Sequence, residues 1–228
     1  MMYVDIYYVL LVIPAFLVAL IAQMRVKSTF NRYNRERLYN GMTGAQAARR
    51  ILDDNGLLRV RVERTAGKLN DHYSHRENTV WLSDATYNSS SVAAVGVAAH
   101  EAGHALQYAH EYGPIRIRTA ILPVTNIGAN LAWPAIIIGY LLGFGTLVYV
   151  GIALFSLAVI FQLITLPVEY NASRRAMAIL ENGNMMNDNE LKGARKVLNA
   201  AAATYLAALA VSIANLLRIM LVFGRRRR

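Results

Sequence analysis

Two histidines and a glutamate occur within five residues of this sequence, at His100, Glu101 and His104. On an α-helix, residues four apart lie one turn apart on the same face, so both imidazoles can reach one metal ion. Glu101 lies beside them, where its carboxylate can take a proton from water bound to that metal. These residue types at this spacing predict a metal site that performs hydrolysis.

The surrounding sequence indicates that this motif lies on a buried helix. Between Ser91 and Ala109 the motif supplies the only acidic, basic or histidine residues, and no proline interrupts the segment. Burial of such groups without partners is costly, so a metal role explains them better than a chance match on a solvated helix. H-E-x-x-H on a helix is typical of zinc metalloproteases, with the glutamate as general base.

The composition indicates a membrane protein. Of the 228 residues 55% are hydrophobic and 17% are charged, which is apolar for a soluble chain of this length. The chain has no cysteine, so a zinc ion must take histidine, aspartate or glutamate ligands. Much of the net charge of +10 lies in short clusters beside apolar segments. This placement suits a lipid bilayer better than nucleic acid, for which no recognition motif occurs.

Three uncharged segments predict the membrane helices. Residues 6–22 are followed, not preceded, by basic residues, so we expect a retained anchor and not a signal peptide. Residues 119–168 form a charge-free run of 50 residues, enough for a two-helix hairpin that turns at residues 143–145. Residues 197–217 form a further apolar helix, which could span the membrane fully, re-enter or lie on its surface.

These segments divide the chain into five predicted regions. They are an N-terminal membrane helix (1–24), a zincin-like catalytic region (25–118), a two-helix membrane hairpin (119–168), a segment carrying the third metal ligand (169–196), and a C-terminal membrane-associated helix with a basic tail (197–228). The expected fold class is a mainly α membrane protein with about four membrane-associated helices and a small α+β catalytic region.

Helix and strand signals occur within the catalytic region. Thr43 is a typical N-cap for a helix that ends near residues 55–56. Residues 59–63 alternate charged side chains with valine, as a strand does, and residues 79–83 predict a second strand. The polar residues 70–78 are expected to join the two strands. The second strand is a candidate for pairing with an extended peptide substrate.

A catalytic zinc site usually has three protein ligands and one open position. Glu169 is the best candidate for the third ligand, because it ends the charge-free run and begins a predicted helix on the same side of the membrane as the motif. An acid there could instead mark the membrane interface, and His72 is the reserve ligand. The loops that carry the site are basic, which favours the cytoplasmic face of the membrane for them. A complete fourth span would, however, place the basic residues 225–228 on the outer face.

Five further segments accompany the motif: K-S-T-F-N at 27–31, T-G-A at 43–45, D-H-Y at 71–73, S-V-A-A-V-G-V-A-A-H-E at 91–101 and L-P-V-E-Y-N-A-S-R-R-A at 166–176. With them the chain resembles, nearly end to end, the YugP-type neutral zinc metallopeptidases of bacterial membranes. The resemblance implies a multi-pass metalloendopeptidase of the bacterial plasma membrane, with Zn²⁺ as cofactor and a peptide or membrane protein as substrate. Its implied ligands are His100, His104 and Glu169, a gluzincin-like set.

A more distant similarity is to HtpX and the CaaX-prenyl endopeptidases, in which the zinc-binding glutamate begins an E-x-x-A-D pattern. Glu169 and Ala172 match this pattern, and Ser173 occupies the position of the aspartate. In that pattern the aspartate orients a ligating histidine. The resemblance therefore implies that Ser173, or Asn171 in its place, supports a metal ligand here.

The predicted reaction also needs a group that stabilises the oxyanion, and His72, Tyr170 and Arg174 are the candidates. Two other functions compete with proteolysis. A membrane scaffold or chaperone-like protein with a structural zinc site is disfavoured by the intact motif. A transporter is disfavoured because the apolar runs lack the paired charges that transport paths use.

Overall fold

The computed structural model describes residues 5–223, which form seven α-helices and one three-stranded sheet. The helices are α1 (Ile13–Tyr33), α2 (Gly44–Asp54), α3 (Asp84–Tyr87), α4 (Val92–Ala109), α5 (Gly113–Leu141), α6 (Gly145–Asn182) and α7 (Asp188–Phe223). The strands are β1 (Arg61–Thr65), β2 (His72–Ser74) and β3 (Thr79–Ser83). A π-helical segment, Tyr8–Val12, leads into α1. The predicted fold class is confirmed.

The chain divides into two compact units. The apolar unit is drawn from Met1–Gln23, Pro114–Pro167 and Ala203–Arg228, and the polar unit from Met24–Gly113 and Val168–Ala202. The predicted basic tail at residues 225–228 lies outside the described residues.

Among the described residues, four helical segments are long and apolar enough to cross a membrane: Tyr8–Tyr33, Gly113–Leu141, Gly145–Asn182 and Asp188–Phe223. The predicted hairpin turn is confirmed, because Gly143 takes a positive φ of 74° between α5 and α6. Gly151 lets these two helices approach closely in the apolar unit. A Cβ there would lie 2.8 Å from the Ala132 carbonyl oxygen, too close for any other residue.

The ends of three helices meet within the apolar unit. Arg218, near the end of α7, donates from Nη2 to Asp5 Oδ2 at 2.7 Å, and its guanidinium lies 4.9 Å from the Tyr8 ring centroid. Phe223 packs edge-on against Tyr140 in the last turn of α5, with 5.4 Å between ring centroids. The end of α7 therefore lies beside the α5–α6 turn and the start of the chain.

The sheet belongs to the polar unit and has the order β1-β3-β2. Strand β3 pairs in parallel with β1 and antiparallel with β2. The prediction for β3 is confirmed, whereas β1 begins two residues later than predicted and β2 lies in the segment expected to be a loop. Because β3 has a neighbour on each side, it cannot pair with a substrate, and that expectation is wrong. The edge strands of this sheet are β1 and β2.

Helices α2 and α4 form the centre of the polar unit. Thr43 caps α2, as predicted, and it does so through a capping box with Gln46. Ser91 caps α4 by accepting a hydrogen bond from the Ala94 amide at 3.1 Å. Small alanines on both helices are fully buried, and Ile51 and Leu52 of α2 fill the remaining space. Close packing on most sides holds the motif helix rigidly.

Candidate metal centre

The polar unit brings His100, His104 and Glu169 together. His100 Nε2 lies 3.3 Å from Glu169 Oε2, and His104 Nε2 lies 3.5 Å from the same oxygen. One ligand atom from each residue lies within 4.8 Å of the others. His72, the reserve ligand, is exposed on β2 and is not part of this group.

The distances fit a tetrahedral ion better than direct hydrogen bonds. Zinc bonds of about 2.0–2.1 Å to nitrogen and oxygen place neighbouring ligand atoms about 3.3 Å apart. A charge-assisted nitrogen–oxygen hydrogen bond is shorter, at about 2.7–2.9 Å. The separations of 3.3 and 3.5 Å between Glu169 Oε2 and the two Nε2 atoms are close to this value. The nitrogen and carboxylate donors also suit zinc, so these residues fit the ion.

Hydrogen bonds hold the far side of each imidazole. Ser173 Oγ lies 3.1 Å from His100 Nδ1, so serine contacts the ring from the position where the related pattern has aspartate. Gln107 Oε1 lies 2.9 Å from His104 Nδ1, and Gln107 Nε2 donates to Asn171 Oδ1 at 3.1 Å. Gln107 was not predicted from the sequence. The feature of the sequence that could have indicated Gln107 is its position, a polar side chain three residues after His104 on an otherwise apolar helix.

Glu101 lies beside the group and is only 8% exposed. Burial raises the pKa of its carboxyl, and the nearby carboxylates of Glu169 and Asp71 act in the same direction, whereas His100 and His104 oppose it. A carboxylate whose proton affinity is raised in this way is suited to accept a proton from water.

Comparisons with known proteins identify the family to which the chain belongs. The family described as "Putative neutral zinc metallopeptidase" matches residues 8–224. A curated relative, "Putative membrane protease YugP" from Bacillus subtilis (strain 168), is 46% identical over 216 residues, which cover 95% of this chain and 96% of that protein.

The chain belongs to this family of neutral zinc metallopeptidases. The resemblance inferred from the sequence is thereby confirmed, and so is the assignment of zinc as the cofactor of the family. No solved structure matches the chain.

In this zinc metallopeptidase family member, Glu169 lies inside α6 and does not begin a helix, so that expectation is wrong. Helix α6 continues from Gly145 to Asn182 and passes through Pro167. Proline is tolerated there because its missing N–H costs one hydrogen bond while neighbouring residues maintain the helix.

The oxyanion candidates on α6 point away from the metal-ligand face. At about 100° per residue, Tyr170 and Arg174 lie roughly 100° and 140° around the helix from Glu169, whereas Ser173 lies only about 40° from it. Tyr170 and Arg174 are both exposed and line a cleft of about 350 Å³ between α6 and α7. The third candidate, His72, lies on strand β2, so this argument from helix geometry does not apply to it.

Gly103, inside the motif, allows α6 to approach α4. A Cβ at this position would lie 2.8 Å from the Ala172 carbonyl oxygen. We expect Gly103→Ala to push α6 outwards, to cost about 1–3 kcal/mol of stability and to weaken zinc binding, because Glu169 moves with α6. Thermal unfolding and zinc titration measure the two effects.

Gly113→Ala is the matched control, because a Cβ there meets nothing within 4 Å. A Gly103→Ala protein with unchanged zinc affinity would show that the close approach does not position Glu169.

Proposed function

We propose that this protein is a membrane-embedded, zinc-dependent metalloendopeptidase of the H-E-x-x-H, gluzincin-like type. The observation that supports the proposal is that His100 Nε2 and His104 Nε2 lie 3.3 and 3.5 Å from the same oxygen, Glu169 Oε2. The buried carboxylate of Glu101 lies beside them. A structural zinc site has no need of such an adjacent base, so this arrangement favours the enzyme over a scaffold.

In the proposed mechanism His100, His104 and Glu169 would hold the metal. A bound zinc ion would act as a Lewis acid that polarises the scissile carbonyl and makes the attacking water easier to deprotonate. Glu101 takes the proton from the attacking water and delivers it to the leaving amine. Its burial raises the pKa of the carboxyl, which favours acceptance of a proton from water.

The edge strand β2 is the proposed docking site for an extended substrate. Asp71, directly before β2, is close enough to Glu101 to raise the pKa of that carboxyl. The Asp71 carboxylate accepts hydrogen bonds from the Ser83 amide at 2.7 Å and from Ser83 Oγ at 3.0 Å, which ties β2 to the end of β3. A peptide paired with the outer edge of β2 would therefore lie on the Glu101 side of the polar unit.

Zinc content and cleavage test the proposal together. We expect the purified full-length protein to hold about one zinc per chain and to cleave an unfolded protein substrate in detergent or liposomes. Chelation should stop cleavage and added zinc should restore it. A folded sample that neither contains nor takes up a divalent metal would overturn the zinc site. Stoichiometric zinc without cleavage would instead support the non-proteolytic scaffold.

The proposed location is the bacterial plasma membrane, crossed by four helices, with the polar unit in the cytoplasm. Most lysines and arginines belong to segments of the polar unit, and the positive-inside tendency places such segments in the cytoplasm. The contacts of Arg218 with Asp5 and of Phe223 with Tyr140 support the complete crossing of α7. The start of the chain and the α5–α6 turn then lie outside.

Cysteine labelling can check this topology without background labelling, because the chain has no cysteine of its own. Cysteines at the exposed positions Asn88, Asn189 and Phe144 are introduced one at a time. We expect a membrane-impermeant maleimide to label only Phe144→Cys in intact cells and to reach the other two after lysis. Labelling of Asn88→Cys and Asn189→Cys on opposite faces would exclude a shared site. Labelling of both from outside would reverse the orientation.

A further inference from the structure

Gln107 is a fully buried amide that has no part in the mechanism above. Its Nε2 donates to the Val168 carbonyl oxygen at 2.8 Å, and its Oε1 lies 2.9 Å from His104 Nδ1. A carbonyl oxygen only accepts, so the amide must present Nε2 to Val168 and Oε1 to His104. The amide oxygen also only accepts, so the ring proton must be on His104 Nδ1. In a neutral imidazole this leaves the lone pair on Nε2, the atom that faces Glu169.

Asn171 and Arg175 hold the Gln107 amide in this orientation. Asn171 Oδ1 accepts from Gln107 Nε2 at 3.1 Å and from Arg175 Nε at 2.8 Å. A guanidinium has only donors, so it keeps the oxygen of Asn171, and not the amino group, towards Gln107. Arg175 Nη1 also donates to His110 Nδ1 at 2.8 Å, which fixes the guanidinium against the C-terminal end of α4.

The reversed Gln107 amide would meet the wrong partners. Its oxygen would face two acceptors, the Val168 carbonyl and Asn171 Oδ1, and its amino group would face His104 Nδ1. That arrangement loses two buried hydrogen bonds and requires the His104 proton on Nε2. A ring with its proton on Nε2 has no lone pair to offer on the Glu169 side.

We propose that Gln107, Asn171 and Arg175 form a positioning chain that fixes His104 in its Nδ1–H tautomer before a metal binds. The inference rests on the proposed function, in which His104 ligates zinc through Nε2. The three residues act through His104 and are therefore positioning residues. Arg175 has the outermost role, because its guanidinium has only donors and so fixes which end of the Asn171 amide faces the chain.

Nitrogen-15 NMR of the metal-free, full-length protein labelled on its histidines tests this chain, at a pH where the rings are neutral. The His104 signals are assigned from their loss in His104→Gln. We expect the Nδ1–H tautomer in the unsubstituted protein and a mixture of tautomers in Gln107→Leu and Arg175→Met. Zinc affinity, measured by competition with a chromophoric chelator, should fall about 10- to 100-fold in both variants.

Asn171→Asp is the conservative variant, because a carboxylate still accepts from both Gln107 and Arg175. It should keep the Nδ1–H tautomer and the zinc affinity. Arg195→Met, an exposed arginine on α7, is the matched control for Arg175→Met and should change neither.

Unchanged tautomer and zinc affinity in Arg175→Met and Gln107→Leu would overturn the positioning chain. Equal losses in Asn171→Asp and Arg175→Met would also overturn it, since acceptor geometry would then not matter. If Gln107→Leu does not fold, Arg175→Met decides, because it alters only the outer end of the chain. The tautomer is read without metal, so a protein that shows these shifts yet binds no zinc would reject the proposed function alone.

Discussion

Replacing Glu101 with glutamine is expected to lower peptide hydrolysis by about 10²- to 10⁴-fold, the usual cost of losing a positioned acid–base group. Zinc should stay bound at the original stoichiometry, because the ligand group consists of His100, His104 and Glu169. Glutamine has nearly the same shape as glutamate but cannot take a proton from water. Cleavage rate and metal content are measured on the same preparation.

Glu181→Gln provides the matched control, since Glu181 is an exposed glutamate of α6 that is not in the metal-ligand group. It should cleave at the unsubstituted rate. Full activity in Glu101→Gln would assign the base to another residue, and loss of zinc would make Glu101 a ligand.

Glu169→Gln is expected to weaken zinc binding strongly. Loss of a residue that only hydrogen-bonds to a metal ligand lowers affinity roughly 10- to 100-fold, and loss of the ligand itself should lower it further. The substitution removes the negative charge and the oxygen that lies 3.3 Å from His100 Nε2 and 3.5 Å from His104 Nε2. A neutral amide oxygen is a much weaker ligand for zinc. Competition with a chelator of known affinity measures the change.

His72→Ala is the comparison that separates the two possible third ligands. His72 is exposed on β2 and outside the group, so its removal should leave zinc affinity unchanged even if turnover slows. Zinc affinity that survives Glu169→Gln and collapses in His72→Ala would establish a three-histidine site.

Features that depend on neighbours in the sequence were predictable. The hairpin follows from a charge-free run with a glycine turn, and the α2 cap follows from Thr43 and Gln46. Glu169 was identified as a candidate because it is the first charged residue after that run. Hydrophobic length and cap chemistry are local properties, so one sequence suffices to find them.

Features that depend on contacts between distant segments were not predictable. Strand β2 has three residues and no alternation, and it is a strand only because β3 pairs with it. The sequence marks Gln107 only as a polar residue on an apolar helix, and its partners Val168 and Asn171 come from the distant helix α6. The close crossing that requires Gly103 likewise involves Ala172, 69 residues away in the sequence. Partners of this kind are set by tertiary packing.

The length of β2 limits how a substrate could be selected. A strand of three residues spans about 10 Å and offers an incoming chain only one or two backbone pairs. Such a short docking edge cannot discriminate strongly among amino-acid sequences. In the proposed function, selectivity would then come from accessibility: unfolded, extended segments would be cut, whereas folded segments would be spared. Target selection would thus depend on the conformational state of the substrate.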